Sequence, residues 1–265
     1  MPILSHTPPS LAEDSLGHAL LTSAELIAEV VGGTTLTDAL ARLWDARPAT
    51  PAGVRGAILD LTYGTLRDYG RQDFILGKLL QKPLPEPLQS LLRVALHRLA
   101  VRPDTAHTVV DQAVSAAATL LGGKFKGVAN GVLRNALRQA GELAQAADAD
   151  MVAEHRHPPW WIRRLKTQYP QDWRAILAAG NTHPPMALRI NPLRATLAET
   201  LDSFDEAGLA GFGVKAGGIQ TPHVAHDAHE GVEFGIVFFL FLRRYGRQHE
   251  TLDALFIQHR FLAGL

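Results

Sequence analysis

Apolar positions recur at helical spacing through the first half of the chain. In Ser15–Gly33, Leu16, Leu20, Ile27 and Val31 fall near one face. Ser15 is placed to cap the start, and Gly32-Gly33 ends the run. "TLTDALARLWDA" predicts a second, short helix. "TPAGVRGAILDLTYGTLRDYGRQDFILGKLLQ" predicts a long helical region, or two helices sharing a bend near Asp68–Arg71. "PEPLQSLLRVALHRLAV" carries a broad apolar face of Leu88, Leu91, Leu92, Ala95, Leu96 and Leu99. Two more helices follow, in "HTVVDQAVSAAATLLGG" and "KGVANGVLRNALRQAGEL". No strand alternation competes with this pattern, so the first half is expected to pack as an all-α domain.

The pattern then changes. A polar, Ala-rich stretch around Gly141–His157 reads as a linker, helical in part. "PPWWIRRLKTQYPQDWRAILAAGN" reads as a Trp-rich helical pair broken at Pro170. Met186–Asn191 alternates like a strand, "LAETLDSFDEAGL" reads as a helix, and Gly208, Gly211 and Gly213 read as turns. The expected fold is therefore mainly α, with a helical bundle over 1–145, a small α+β segment over 146–220, and an aberrant tail over 221–265.

Within that tail the apolar run Phe234–Leu242 is shorter than the roughly twenty residues that a spanning helix needs. No membrane role is expected of it, and no signal peptide is read at the start. The chain has 265 residues, 20% charged, with a formal net charge of zero and no cysteine. Lack of cysteine excludes disulfides, thiolate metal sites and a thiol nucleophile, and it fits a cytoplasmic protein. His223, His226, His229, Asp227 and Glu230 cluster in the tail, but no helical pattern surrounds them. They read as loop residues, and no metal site is assigned.

Local charge is more telling than net charge. From Gln112 to Gly141 there is no acidic residue, whereas Lys124, Lys126, Arg134 and Arg138 all fall there. Lys126, Asn130, Arg134 and Arg138 are spaced by four, which puts them on one polar stripe beside an apolar stripe of Val128, Val132, Leu133, Ala136 and Leu137. Such a row of cations is suited to neutralising phosphates, although most Lys and Arg on helices only keep a face solvated. Trp160, Trp161 and Trp173 are spaced for core packing rather than base stacking, with Arg163, Arg164 and Lys166 beside them to extend the basic surface.

"KGVANGVLRNALRQ" resembles a helix of the NusB-like domain, and more closely the version in the RsmB (Sun/Fmu) family of ribosomal RNA cytosine-5 methyltransferases. "LDLTYGTLRDYGRQDFILGKLL", "LLRVALHRLAV" and "AHTVVDQAVSAA" match that family in order. "HPPWWIRRL", "YPQDW" and "PPMALRINPLR" resemble its segment ahead of the catalytic domain. The resemblance covers residues 15–217. It implies an RNA-binding helical domain that helps to present small-subunit rRNA, with a protein partner as a further expectation. Carried over by position, the RNA contacts are Lys124, Lys126, Arg134 and Arg138, with Arg67 and Arg71 as weaker additions. Asn130 and Gly131 are given structural roles, in hydrogen bonding and close helix packing.

The family continues into a Rossmann-like methyltransferase domain that binds S-adenosylmethionine and supplies two cysteines. Nothing in this sequence matches that domain, and "LLGGKFKG" lies between helices rather than after a strand. The expectation is no catalytic or cofactor-binding residue in this chain, no activity alone, and a tail produced by frameshift or truncation. Two further readings stand beside it: a NusB-like module in transcription antitermination, and a non-functional remnant.

Overall fold

The structure is a computed structural model that describes residues 11–182, 187–190, 193–206, 212–214 and 218–220. The tail after 220, with its apolar run and its histidines, lies outside the described residues, as do Gly208 and Gly211. The described residues up to Asn181 form one compact unit, and those from Thr182 onward belong to a second.

The first unit is helical. Helix α1 (Leu16–Val31) begins where Ser15 accepts a hydrogen bond from the His18 amide at 3.1 Å. Helix α2 (Leu36–Ala46) is capped by Thr35, whose hydroxyl accepts from the Asp38 amide at 3.1 Å. The long region of the sequence reading resolves into α3 (Ala52–Arg67) and α4 (Tyr69–Leu79), hinged at Asp68 with φ −92° and ψ 0°. Helix α5 (Glu86–Val101) buries all six expected leucines and alanines, and α6 (Ala106–Thr119) and α7 (Lys126–Arg138) follow.

Helix α1 is the central element and packs against α2, α3, α5 and α6. Leu20, Ile27, Ile58, Leu76, Leu88, Leu91, Leu92 and Leu133 are the large, fully buried side chains around which the bundle closes. The stretch read as a linker is helical throughout much of its length. It forms α8 (Ala140–Ala149) and α9 (Met151–His155), the latter started by Asp150, which accepts from the Val152 and Ala153 amides at 2.9 Å. Ala-rich sequence has high helix propensity, and contact with α4 supplies the packing that an isolated short helix lacks. Helices α10 (Pro159–Gln168) and α11 (Trp173–Asn181) flank Pro170. They share a small core of Ile162, Leu165, Trp173 and Leu177, with Trp161 against it.

The second unit contains β1 (Ala187–Arg189), α12 (Leu197–Glu206), β2 (Phe212–Val214) and β3 (Gly218–Gln220). The strands form an antiparallel sheet in the order β1-β3-β2, with Leu188 opposite Ile219 and Gly213 opposite Ile219 on the other side. Gly213 was expected in a turn. It sits instead in a paired strand, because ladder hydrogen bonds to β3 outweigh the weak local preference of one glycine. Helix α12 lies beside β2 and β3.

Candidate nucleic-acid interface

The turn that launches α7 sets its direction. Leu121, Gly122 and Gly123 all have positive φ, at 50°, 69° and 75°. Glycine is favoured at 123 by that backbone and by a close approach, since a Cβ there would stand 3.1 Å from the Ala118 carbonyl oxygen. Lys124 and Phe125 follow, and no side chain caps the first turn of α7. In that turn Lys124, Lys126, Gly127 and Val128 are exposed, and an uncapped helix start beside two lysines is favourable to an anion.

Helix α7 buries Ala129, Val132, Leu133 and Ala136. Val128 and Leu137, expected in that stripe, are 40% and 39% exposed. At about 100° per residue they fall on opposite margins of the buried arc, so the apolar face is narrower than the sequence reading made it. Lys126, Gly127, Gly131, Arg134 and Arg138 occupy the solvent side. Gly131 was given a role in close helix packing, but a Cβ there would meet nothing within 4 Å. It faces open space because it lies opposite the buried arc.

The two arginines are held by neutral groups. Arg134 Nε donates to Asn130 Oδ1 at 2.9 Å, and Arg138 Nη2 donates to Asn135 Oδ1 at 2.7 Å. Asn130 thus has the hydrogen-bonding role expected of it. An amide oxygen orients a guanidinium without cancelling its charge, and it leaves most of the five N–H donors free. Among the described residues, no ion pair with a carboxylate is formed by Lys124, Lys126, Arg134 or Arg138.

Arg67 and Arg71 are placed differently. Arg67 closes α3 half-buried. Burial pushes its pKa below the ordinary guanidinium value, against the pull of Asp60 and Tyr63. Arg71 Nη1 donates to Asp148 Oδ1 at 2.7 Å and straps α4 to α8. The structure thus puts Lys126, Arg134 and Arg138 on the solvent side of α7, leaves Lys124 exposed in the turn before it, and commits Arg71 to an internal ion pair. That pair joins residues 77 positions apart, and no short-range pattern announces it.

Trp173 is buried, as its spacing suggests, while Trp160 and Trp161 are half-buried and meet edge to face at 5.6 Å. Among the described residues no cluster of His, Cys, Asp and Glu is placed to hold a metal, and no helix is long and apolar enough to cross a membrane.

Known proteins align with these elements. The NusB family model matches residues 20–138, which run from α1 to the end of α7. A model described as Methyltr_RsmF/B-like, ferredoxin-like domain matches residues 157–217, from α10 through β2. In this order the chain thus resembles the NusB family and then the RsmF/B-like ferredoxin-like domain. Ribosomal RNA small subunit methyltransferase B of Pseudomonas putida is 38% identical over 158 residues, covering 58% of this chain and 36% of that protein. Its counterpart in Serratia proteamaculans is 36% identical over 159 residues, covering 59% and 37%. The Escherichia coli protein is 32% identical over 161 residues, covering 60% and 37%. The chain thus spans little more than a third of the length of these curated RsmB-family relatives. The crystal structure of PH0851 shares the fold, with a TM-score of 0.55 at 15% identity over 83% of this chain and 51% of that one.

Proposed function

We propose that this chain is an RNA-binding portion of an S-adenosylmethionine-dependent 16S rRNA cytosine-5 methyltransferase, and that the outward face of α7 grips the RNA backbone. The observation that carries this reading is the row Lys124, Lys126, Arg134 and Arg138. It is exposed, unpaired with carboxylates among the described residues, and steadied by neutral asparagines. Cations arranged this way bind phosphates and fix position, leaving sequence choice to other contacts. Arg67 is a peripheral contact in this reading, and Arg71 acts through the architecture.

These residues supply RNA presentation and not the methyl transfer. Thiolate attack on a cytosine needs a cysteine, and the 265 residues contain none. In the full-length family, S-adenosylmethionine would supply the methyl group. The match of the ferredoxin-like model at 157–217, beside the NusB match, favours this reading over a free-standing antitermination module. The location that goes with it is the cytoplasm, where the rRNA substrate is found.

Neutralising the row tests the proposal. Lys124→Gln, Lys126→Gln, Arg134→Gln and Arg138→Gln combined should weaken binding to a small-subunit rRNA fragment by at least about tenfold. Helical circular dichroism should stay unchanged, since all four side chains are exposed. Undiminished affinity in a folded variant would overturn the assignment.

A further inference from the structure

Helices α10 and α11 carry a second basic feature, built differently from the α7 row. Lys166 of α10 lies with its Nζ 4.4 Å from the centroid of the Trp173 ring, and the guanidinium carbon of Arg174 lies 4.3 Å from the same ring. One buried indole thus draws two cations from different helices to itself. Among the described residues neither cation forms an ion pair with a carboxylate. The remaining polar contact of Lys166 is to Met151 Sδ at 3.3 Å. Among nearby acids, Glu154 is turned to His155 Nε2 at 3.4 Å, and Asp172, next to Trp173, forms no ion pair among the described residues. Burial, then Arg174 and Lys166, hold the His155 imidazole below its ordinary pKa against the pull of Glu154, so at neutral pH the ring adds no charge.

The surroundings extend the feature along α10. Arg163 and Lys166, three residues apart, are neighbours on the surface of α10, and Tyr169 is the residue that ends the helix. Tyr169 has non-helical dihedrals there, φ −133° and ψ 66°, while its amide still donates to the Leu165 carbonyl at 2.7 Å. Tyr169 is 50% exposed, an unusual position for an aromatic ring with a small core one turn away. Arg163 and Arg164 are exposed and, among the described residues, also form no ion pair.

We infer that Arg163, Lys166 and Arg174 form a second RNA contact, a phosphate track that ends on the Tyr169 ring and takes an unpaired stretch of RNA. Two like charges held together on one ring repel unless an anion joins them, and RNA phosphates are such anions. The exposed ring at the end of the track selects an unstacked base over a duplex or an acidic protein surface, because a paired base offers no free face. The inference rests on the RNA reading of the α7 face and adds to it the strandedness of the target.

Affinities of the full chain for an unpaired oligoribonucleotide, for a duplex of equal length and for polyglutamate test it. Tyr169→Ala is expected to weaken unpaired RNA at least about fivefold and to leave the duplex unchanged. Arg163→Gln should weaken unpaired RNA as well. Both side chains are exposed, so these variants keep the test decisive even if Lys166→Gln or Arg174→Gln loosens the packing around Trp173. If the native chain binds RNA, the α7 variants lose it and Tyr169→Ala and Arg163→Gln keep it, the second contact is overturned while the α7 reading stands. Loss of polyglutamate binding alone would assign the track to an acidic protein and also overturn it. If the native chain binds neither RNA, both readings fall.

Discussion

Asp68 shows how much one residue decides. It ends α3, begins α4, and is 7% exposed. Its Oδ2 bonds His97 Nδ1 at 3.0 Å and accepts from Gln72 Nε2 at 3.2 Å, while Arg156 Nε reaches Oδ1 at 3.0 Å. Arg156 itself sits in the left-handed region, at φ 58°, where α9 ends. One carboxylate therefore ties the α3–α4 corner to α5 and to the end of α9. Burial alone would raise its pKa, but the hydrogen bond from His97 and the charge of Arg156 bring it below the ordinary carboxylate value. Asp68→Ala is expected to cost about 2–3 kcal/mol in urea unfolding, because His97 and Arg156 lose a buried partner. Because the folded pKa lies below the unfolded one, this contribution is complete above the unfolded pKa of about 4 and is lost as pH falls through the folded value. A difference between native and Asp68→Ala stability that does not shrink on acidification would contradict the linkage. The sequence marks a bend near Asp68 but not its partners, since His97 and Arg156 lie 29 and 88 positions away and tertiary packing alone brings them in.

At the scale of elements, two glycines separate packing from exposure. Helices α3 and α5 cross where Gly64 lies against the His97 imidazole, and a Cβ at position 64 would overlap that ring. Gly131 on α7 meets nothing. Gly64→Ala should therefore destabilise the bundle, and Gly131→Ala should stabilise it by about 0.5–1 kcal/mol through helix propensity. Thermal unfolding of the two variants checks the pair, and a loss of stability in Gly131→Ala would mean that α7 packs where it is shown bare. The helices themselves were legible in the sequence, because apolar positions at 3.6-residue spacing leave few alternatives. The width of the α7 apolar face was not. Val128 and Leu137 are as apolar as Leu133, and only the neighbouring helices show which of them is covered.

For the whole molecule, the basic row could be read from the missing acids between Gln112 and Gly141, and the resemblance then gave it a purpose. The convergence of Lys166 and Arg174 on Trp173 needed the structure, since it depends on two helices folding back across Pro170. Both features serve one account, the proposal that this chain holds RNA by its backbone. The salt dependence of RNA affinity measures that grip directly. The four cations of the α7 row should contribute about −3 to the slope of the logarithm of the binding constant against the logarithm of salt concentration, and each phosphate-binding cation removed should lessen the slope by roughly one unit. A slope near zero, or one that the α7 substitutions leave unchanged, would contradict the account.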